Sequence, residues 1–314
     1  TALGSNQTEI AVGLTDGRVE VRSLEGDISQ ALDPEVSDDL LEVEFSDDGQ
    51  TLVGFSKHQG IYVWQRQADN TFVFQQTIGH SASIMSATLS PSNDLIAIGS
   101  WEDNTVRLVG LDGQRIKEFG EHKHGDRIND IAFSPGQGKL FASGSAKDGV
   151  VKIWDTKKRT LIKSFTIEKT IVRLRFVDDQ LLAIASSDGS IELRDIEGTL
   201  RRTLEARHDG DKSGLAVRSD GKRIASAGRD GHIKISRVED GIQLQTLLGH
   251  QAATIAVDFV ANDTEILSAS SDRTLRLWQT EKNQPPLLPG RSLSFSPDSQ
   301  PIATAQGEFV YLWN

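Results

Sequence analysis

Apolar and polar residues along this chain alternate in short runs, and nowhere do they settle into a helical period. Val151-Lys152-Ile153-Trp154 shows the period of two that puts one side of a strand inward and the other outward. Four kinds of run recur in a fixed order. The first is a short apolar run ending in a turn, as in Ile131 to Pro135 or Leu293 to Asp298. The second is apolar and then small, as in I-A-I-G-S from Ile96. A tight turn with Asp-Gly, Asp-Asn or Asp-Arg follows, which is a hairpin signal. The third run alternates, and the fourth is more polar, as in Thr71-Phe72-Val73-Phe74 or Leu161 to Phe165. Each unit therefore predicts four antiparallel strands.

The unit repeats. It reads I-A-V-G-L-T-D-G-R-V-E-V from Ile10, F-A-S-G-S-A-K-D-G-V-V-K-I-W-D from Phe141 and I-L-S-A-S-S-D-R-T-L-R-L-W from Ile266. Other copies start at Ile96, Leu182 and Ile224, and two weaker ones at Leu52 and Ile302. The second residue of each copy serves as a marker: Ala11, Val53, Ala97, Ala142, Ala183, Ala225, Leu267 and Ala303. The gaps between markers are 42, 44, 45, 41, 42, 42 and 36 residues. That spacing suits a four-stranded propeller blade of roughly 40–45 residues. One such sheet has two open edges and a face it cannot bury alone, and radial stacking solves both problems. The expected fold is all-β, a β-propeller of four-stranded antiparallel blades filling 1–314 as a single domain.

Particular side chains recur with the strands. Nine residues before the apolar residue that ends the first strand stand His80, His124, His208 and His250. Six residues before the tryptophan position of the third strand stand Asp16, Asp103, Asp148, Asp188, Asp230 and Asp272. On these residues the chain resembles the WD-repeat propellers over essentially its full length. The resemblance implies a buried hydrogen-bonded set of His, second-strand Ser, turn Asp and Trp. Copies four and seven carry every side chain of it: His124, Ser143, Asp148, Trp154 and His250, Ser268, Asp272, Trp278. His80 and Asp103, and His208 and Asp230, are partial sets. Elsewhere His58 and Gly307 replace the Asp, and Val36, Ile167 and Pro286 replace the His. Such sets look like catalytic triads, but they repeat around the ring, as an active site would not. Their expected role is stability, since a buried polar group left unpaired costs about 1–3 kcal/mol.

Eight copies favour an eight-bladed ring, with seven blades plus an extra repeat as the alternative. The last copy stops at Trp313-Asn314, inside its third strand, and no fourth strand precedes Thr1. The chain therefore reads as cut from a longer protein. Its regularity is similar to bacterial WD-repeat arrays, a resemblance that implies fusion to signalling or other effector domains.

Composition narrows the function classes. With 45 acidic against 34 basic residues the formal charge is −11, which disfavours phosphate and hence nucleic acid. Cysteine is absent, which removes disulfides, thiolate metal sites and cysteine nucleophiles together. No run approaches the roughly 18–20 apolar residues of a membrane span, and Thr1 to Gln7 have no signal-peptide pattern. The expectation is a cytoplasmic chain with no cofactor, no metal and no membrane contact. Asn6-Gln7-Thr8 and Asn262-Asp263-Thr264 match the glycosylation pattern, which occurs often by chance.

The search for chemistry yields no metalloprotease, phosphate-loop or nucleophile-elbow motif. Asp130 and Asp258 fall on first strands, which line the channel, and a propeller hydrolase or lyase working there is the alternative function. The acidic run from Asp33 to Asp48 reads as a solvated edge or as a patch for a basic partner. The favoured function is a non-catalytic scaffold or sensor that binds a protein or peptide on the face formed by the turns after the second strands. In copies three and four the marker-to-Asp distance is six residues rather than five, and the longer turn of copy three holds Trp101 and Glu102. An aromatic residue in a polar turn is a typical binding anchor. Lys147, Arg229, Arg273 and His58 share that face and complete the expected partner-binding set.

Overall fold

The computed structural model describes 2–280, apart from 6–7, 15–16, 25, 34–39, 59, 80–82, 120–121 and 210–211, and again 302–306 and 309–313. Two compact units divide the chain, Thr1–Trp278 and Gln279–Asn314. The first is a ring of seven sheets. Six are four-stranded, over 2–32, 40–78, 84–118, 128–166, 171–203 and 212–247, and each takes its strands in sequence order. The seventh has three described strands, Thr254–Val260, Glu265–Ser270 and Leu275–Gln279. The second unit contributes a hairpin of Ile302–Gln306 and Phe309–Trp313.

The ring thus has seven blades, and the expected eight is corrected to the alternative of seven plus an extra repeat. Seven hydrophobic clusters lie between neighbouring blades, one at each interface. The decisive one joins blade 7 to blade 1 through Val260 and Leu267 against Ile10 and Val12. With that interface filled, no gap remains between blade 7 and blade 1 for another blade.

Each strand's pattern follows from its place in the stack. Second strands are covered on both faces, so Leu95–Ser100 and Leu181–Ser186 are buried almost throughout, and small residues let adjacent blades approach. The outer strand Thr160–Thr166 is half wet and alternates accordingly. Trp154 and Phe141 stack with ring planes 11° apart, and Phe119 packs on Trp154 at 4.6 Å between centroids.

The recurring turn Asp has a local reason. Its side chain accepts the amide two residues on, as in Val150 to Asp148 (3.1 Å), Ser190 to Asp188 (2.9 Å) and His232 to Asp230 (3.1 Å). That is the Asx turn, which tightens the hairpin without help from the strands. The following glycine is needed at blade 4. Gly149 has φ +63, and a Cβ there would stand 2.0 Å from the Ile167 carbonyl oxygen.

Blade 7 differs at its outer side. Third-strand pairs such as Val19 and Val21, Ile61 and Val63, or Val151 and Ile153 are buried in blades 1, 2 and 4. The corresponding Leu275 and Leu277 are 36% and 41% exposed. In the other blades a fourth-strand or following residue such as Leu32, Ile78 or Ile167 is buried beside that pair. No such strand belongs to blade 7 among the described residues. His80, Asp16, Val36, Pro286, Gly307, the expected strand Leu293 to Asp298, and Glu35, Asp38 and Asp39 of the acidic run lie outside the described residues.

Candidate functional site

The polar sets differ from blade to blade. In blade 7 a continuous chain forms: Trp278 Nε1 donates to Ser268 Oγ at 2.8 Å, and Ser268 Oγ meets His250 Nε2 at 2.8 Å. His250 Nδ1 lies 2.9 Å from Asp272 Oδ2. Trp can only donate and an ionised Asp can only accept, so Ser268 donates to Nε2 and Nδ1 carries the proton. Burial pulls the His250 imidazolium down, against the pull of Asp272. Burial would raise Asp272, but Thr274, the Gln251 amide and His250 together hold it well below the usual carboxylate range.

Blade 6 keeps His208 on Asp230 (2.9 Å) and Ser226 (2.9 Å), with Ser236 in the Trp position. Blade 4 departs from the expectation. Trp154 and His124 both reach Ser143, at 2.9 and 2.8 Å, but His124 Nδ1 has no partner. Asp148 accepts the Gly125 amide at 2.9 Å, as Asp272 accepts that of Gln251 and Asp230 that of Asp209, but it makes no bond to the imidazole. Burial and the nearby Lys152 take His124 down to about 3, so it is neutral near neutral pH. In blade 3, Asp103 pairs with Arg107 and Thr105.

The channel wall gathers more charge than Asp130 and Asp258 alone. Around a cavity of about 390 Å³ stand Glu42 and Glu44 of blade 2, Arg173 and Arg175 of blade 5, and Asp258 of blade 7. Glu42 and Glu44 of the acidic run therefore face the channel rather than an outer patch. These groups tie blades together. Glu44 accepts the Leu89 amide (2.8 Å) and the Thr88 hydroxyl (3.1 Å) of blade 3. Asp130 accepts the Leu174 amide (2.6 Å) and Arg175 (3.2 Å) of blade 5.

Burial, and then Glu42, push Glu44 up to about 8 against those two hydrogen bonds. The folded chain thus binds this proton more tightly than the unfolded chain, whose value is near 4.5. The resulting stability is full below about pH 4.5 and is lost as pH rises through about 8. Glu44→Gln should flatten the fall in stability between about pH 5 and 8, where one proton contributes at most about 1.4 kcal/mol per pH unit. Urea unfolding across that range measures it, and an unchanged slope would remove Glu44 as the cause. Glu42, also raised by burial, leaves a residual slope.

The turn face carries the expected binding residues. Trp101 is 38% exposed, its amide held by the Ser83 carbonyl at 2.9 Å. Glu102 accepts Ser83 Oγ at 2.7 Å, and His58 Nδ1 lies 3.4 Å from the same hydroxyl. Trp101, Glu102 and His58 therefore meet across blades 2 and 3. Lys147, Arg229 and Arg273 are exposed on the turns of blades 4, 6 and 7, and no contact joins them. Two residues were missed by the sequence reading. Lys57 and Arg127 flank the Trp101 ring, 5.3 and 4.4 Å from its centroid. Neither spacing nor composition singles them out, since they meet Trp101 only when three blades are stacked. Among the described residues no three His, Asp or Glu side chains gather as a metal site, and no helix is long and apolar enough to cross a membrane.

Comparison with known proteins agrees with the geometry. The family profile of the anaphase-promoting complex subunit 4 WD40 domain matches residues 87–179. That of the WD domain, G-beta repeat, matches 198–235 and 241–279. The chain is 29% identical over 170 residues to the WD repeat and HMG-box DNA-binding protein 1 of Xenopus laevis, covering 52% of this chain and 14% of that protein. It is 29% identical over 229 residues to the Periodic tryptophan protein 2 homolog of Caenorhabditis elegans, covering 70% and 25%. It is 32% identical over 139 residues to an uncharacterized WD repeat-containing protein of Synechocystis, covering 42% and 40%. The chain spans well under two thirds of the length of each of these relatives. On its repeats, its ring of blades and these matches, the chain belongs to the WD-repeat β-propeller family.

Proposed function

We propose that this ring is a non-catalytic docking platform that binds a protein or peptide partner on its turn face, as one domain of a larger cytoplasmic signalling or effector protein. Propellers of this family generally act as protein-interaction scaffolds, and the cyanobacterial relative agrees with a bacterial array. The observation that carries the reading is Trp101, a large aromatic left 38% exposed on a turn whose backbone is fixed. A rigid anchor loses little freedom on binding, so more of its contact area becomes affinity.

Arg273 adds support. It holds φ 69 in the position that Gly149, Gly189 and Gly231 occupy in blades 4, 5 and 6. A long side chain in the left-handed region costs of order 1 kcal/mol, a cost without a local packing return, because Arg273 is exposed. In the channel, both Glu44 oxygens and both Asp130 oxygens are engaged by neighbouring blades, a role in holding the ring together.

Capture of partners from a native extract tests the proposal. Trp101→Ala and Arg273→Gly should each deplete the same captured protein severalfold while melting temperature changes by no more than about 2 °C. Undiminished capture by both variants would refute docking on this face.

A further inference from the structure

The chemistry around Trp101 specifies what kind of segment would fit. Its ring is flanked by Arg127, on the connection into blade 4, and Lys57, at the turn of blade 2. Lys147 follows closely, because its amide and that of Arg127 both bind Asp126, at 3.1 and 2.8 Å. Those two bonds occupy both oxygens of Asp126, and Glu102 is engaged by Ser83. Both carboxylates keep their charge, but among the described residues neither forms an ion pair with Lys57, Arg127 or Lys147. Arg127 Nε is buried without a hydrogen-bond partner. In a chain of net charge −11, two cations without an ion-pair partner thus flank an exposed tryptophan, and Lys147 adds a third on the neighbouring turn.

We propose that this corner of blades 2, 3 and 4 binds an acidic linear segment of a protein partner, carrying an aliphatic side chain beside its carboxylates. The inference rests on the docking reading of the turn face and names its ligand. Stacking against Trp101 limits the directions in which the Arg127 guanidinium can turn, so its fork is pre-set for a carboxylate. Lys57 supplies a second charge on the same ring, and the aliphatic side chain covers the part of Trp101 that the cations leave open. The acidic remainder of the surface repels such a segment, which makes this corner selective by contrast.

The probes are two fluorescein-labelled nonapeptides, one repeating Glu-Leu-Asp and one repeating Gln-Leu-Asn, titrated by anisotropy against the whole chain. The acidic peptide should bind at least about tenfold tighter than the amide peptide, and more weakly as salt rises. Arg127→Gln and Trp101→Ala should each weaken it about tenfold, while Arg159→Gln on the opposite set of turns leaves it unchanged. Equal affinity for the two peptides, no binding of the acidic one, or indifference to Arg127→Gln would overturn the inference. So would equally tight, Arg127-dependent binding of a single-stranded DNA oligomer, which would mark a phosphate site. If the peptides fail yet partner capture still depends on Trp101, only the acidic chemistry falls. If capture is independent of Trp101 as well, the docking reading falls with it.

Discussion

Trp154→Ala is expected to lower the unfolding free energy by about 3–5 kcal/mol, read as a lower urea midpoint at unchanged slope. Three losses add. The indole is fully buried, stacked on Phe141 and packed by Phe119 at the interface of blades 3 and 4, so its removal leaves a cavity that the paired strands cannot close. Its Nε1 donation to Ser143 disappears, and Ser143 keeps only His124. Trp154→Phe separates the terms: it keeps most of the volume and loses the donor, and should cost about 1–2 kcal/mol. Trp101→Ala, made in the same background, should change stability by no more than about 0.5 kcal/mol. If Trp154→Ala cost as little, the interface of blades 3 and 4 would not be packed as described.

Asp130→Ala should destabilise by about 3 kcal/mol, for a different reason. Its buried carboxylate sits between three blades, accepting Ser86 of blade 3 and the Leu174 amide and Arg175 of blade 5. Removing it strands the Leu174 amide and leaves Arg175 without this partner, and breaking a buried pair from one side is the expensive case. Arg175 is about a third open to the channel, so water screens the ionic part and the stranded amide carries more of the cost. In a double-mutant cycle Asp130→Ala with Arg175→Ala should cost less than the two changes summed. Strict additivity would show that the pair is not coupled, and that Asp130 acts through Leu174 and Ser86 alone.

Much of the polar network could be read before any fold was seen. The spacing that selected His250, Ser268, Asp272 and Trp278 also selected side chains that form one hydrogen-bonded chain. The same spacing selected His124 and Asp148, which do not bond: Asp148 holds the Gly125 amide, and His124 Nδ1 is left without a partner. Trp101 stood out as an aromatic in a polar turn, whereas Lys57 and Arg127 carried no signal. Glu42 and Glu44 belonged on sequence to an acidic run, and alternation along Leu40–Phe45 turned them into the channel.

The sequence by itself determined the strands, the hairpins, the period and the family. Those features depend on residues close together in the chain: alternation at every second position, an Asp accepting the amide two residues on, a glycine at a left-handed turn. Only the tertiary structure decided that seven blades close the ring, because closure is set by how the side chains of one blade fit the next. Eight copies can be counted along the chain, but only the packing of Val260 and Leu267 on Ile10 and Val12 completes the circle. The same holds for the cations around Trp101, which come from three blades and meet through stacking alone.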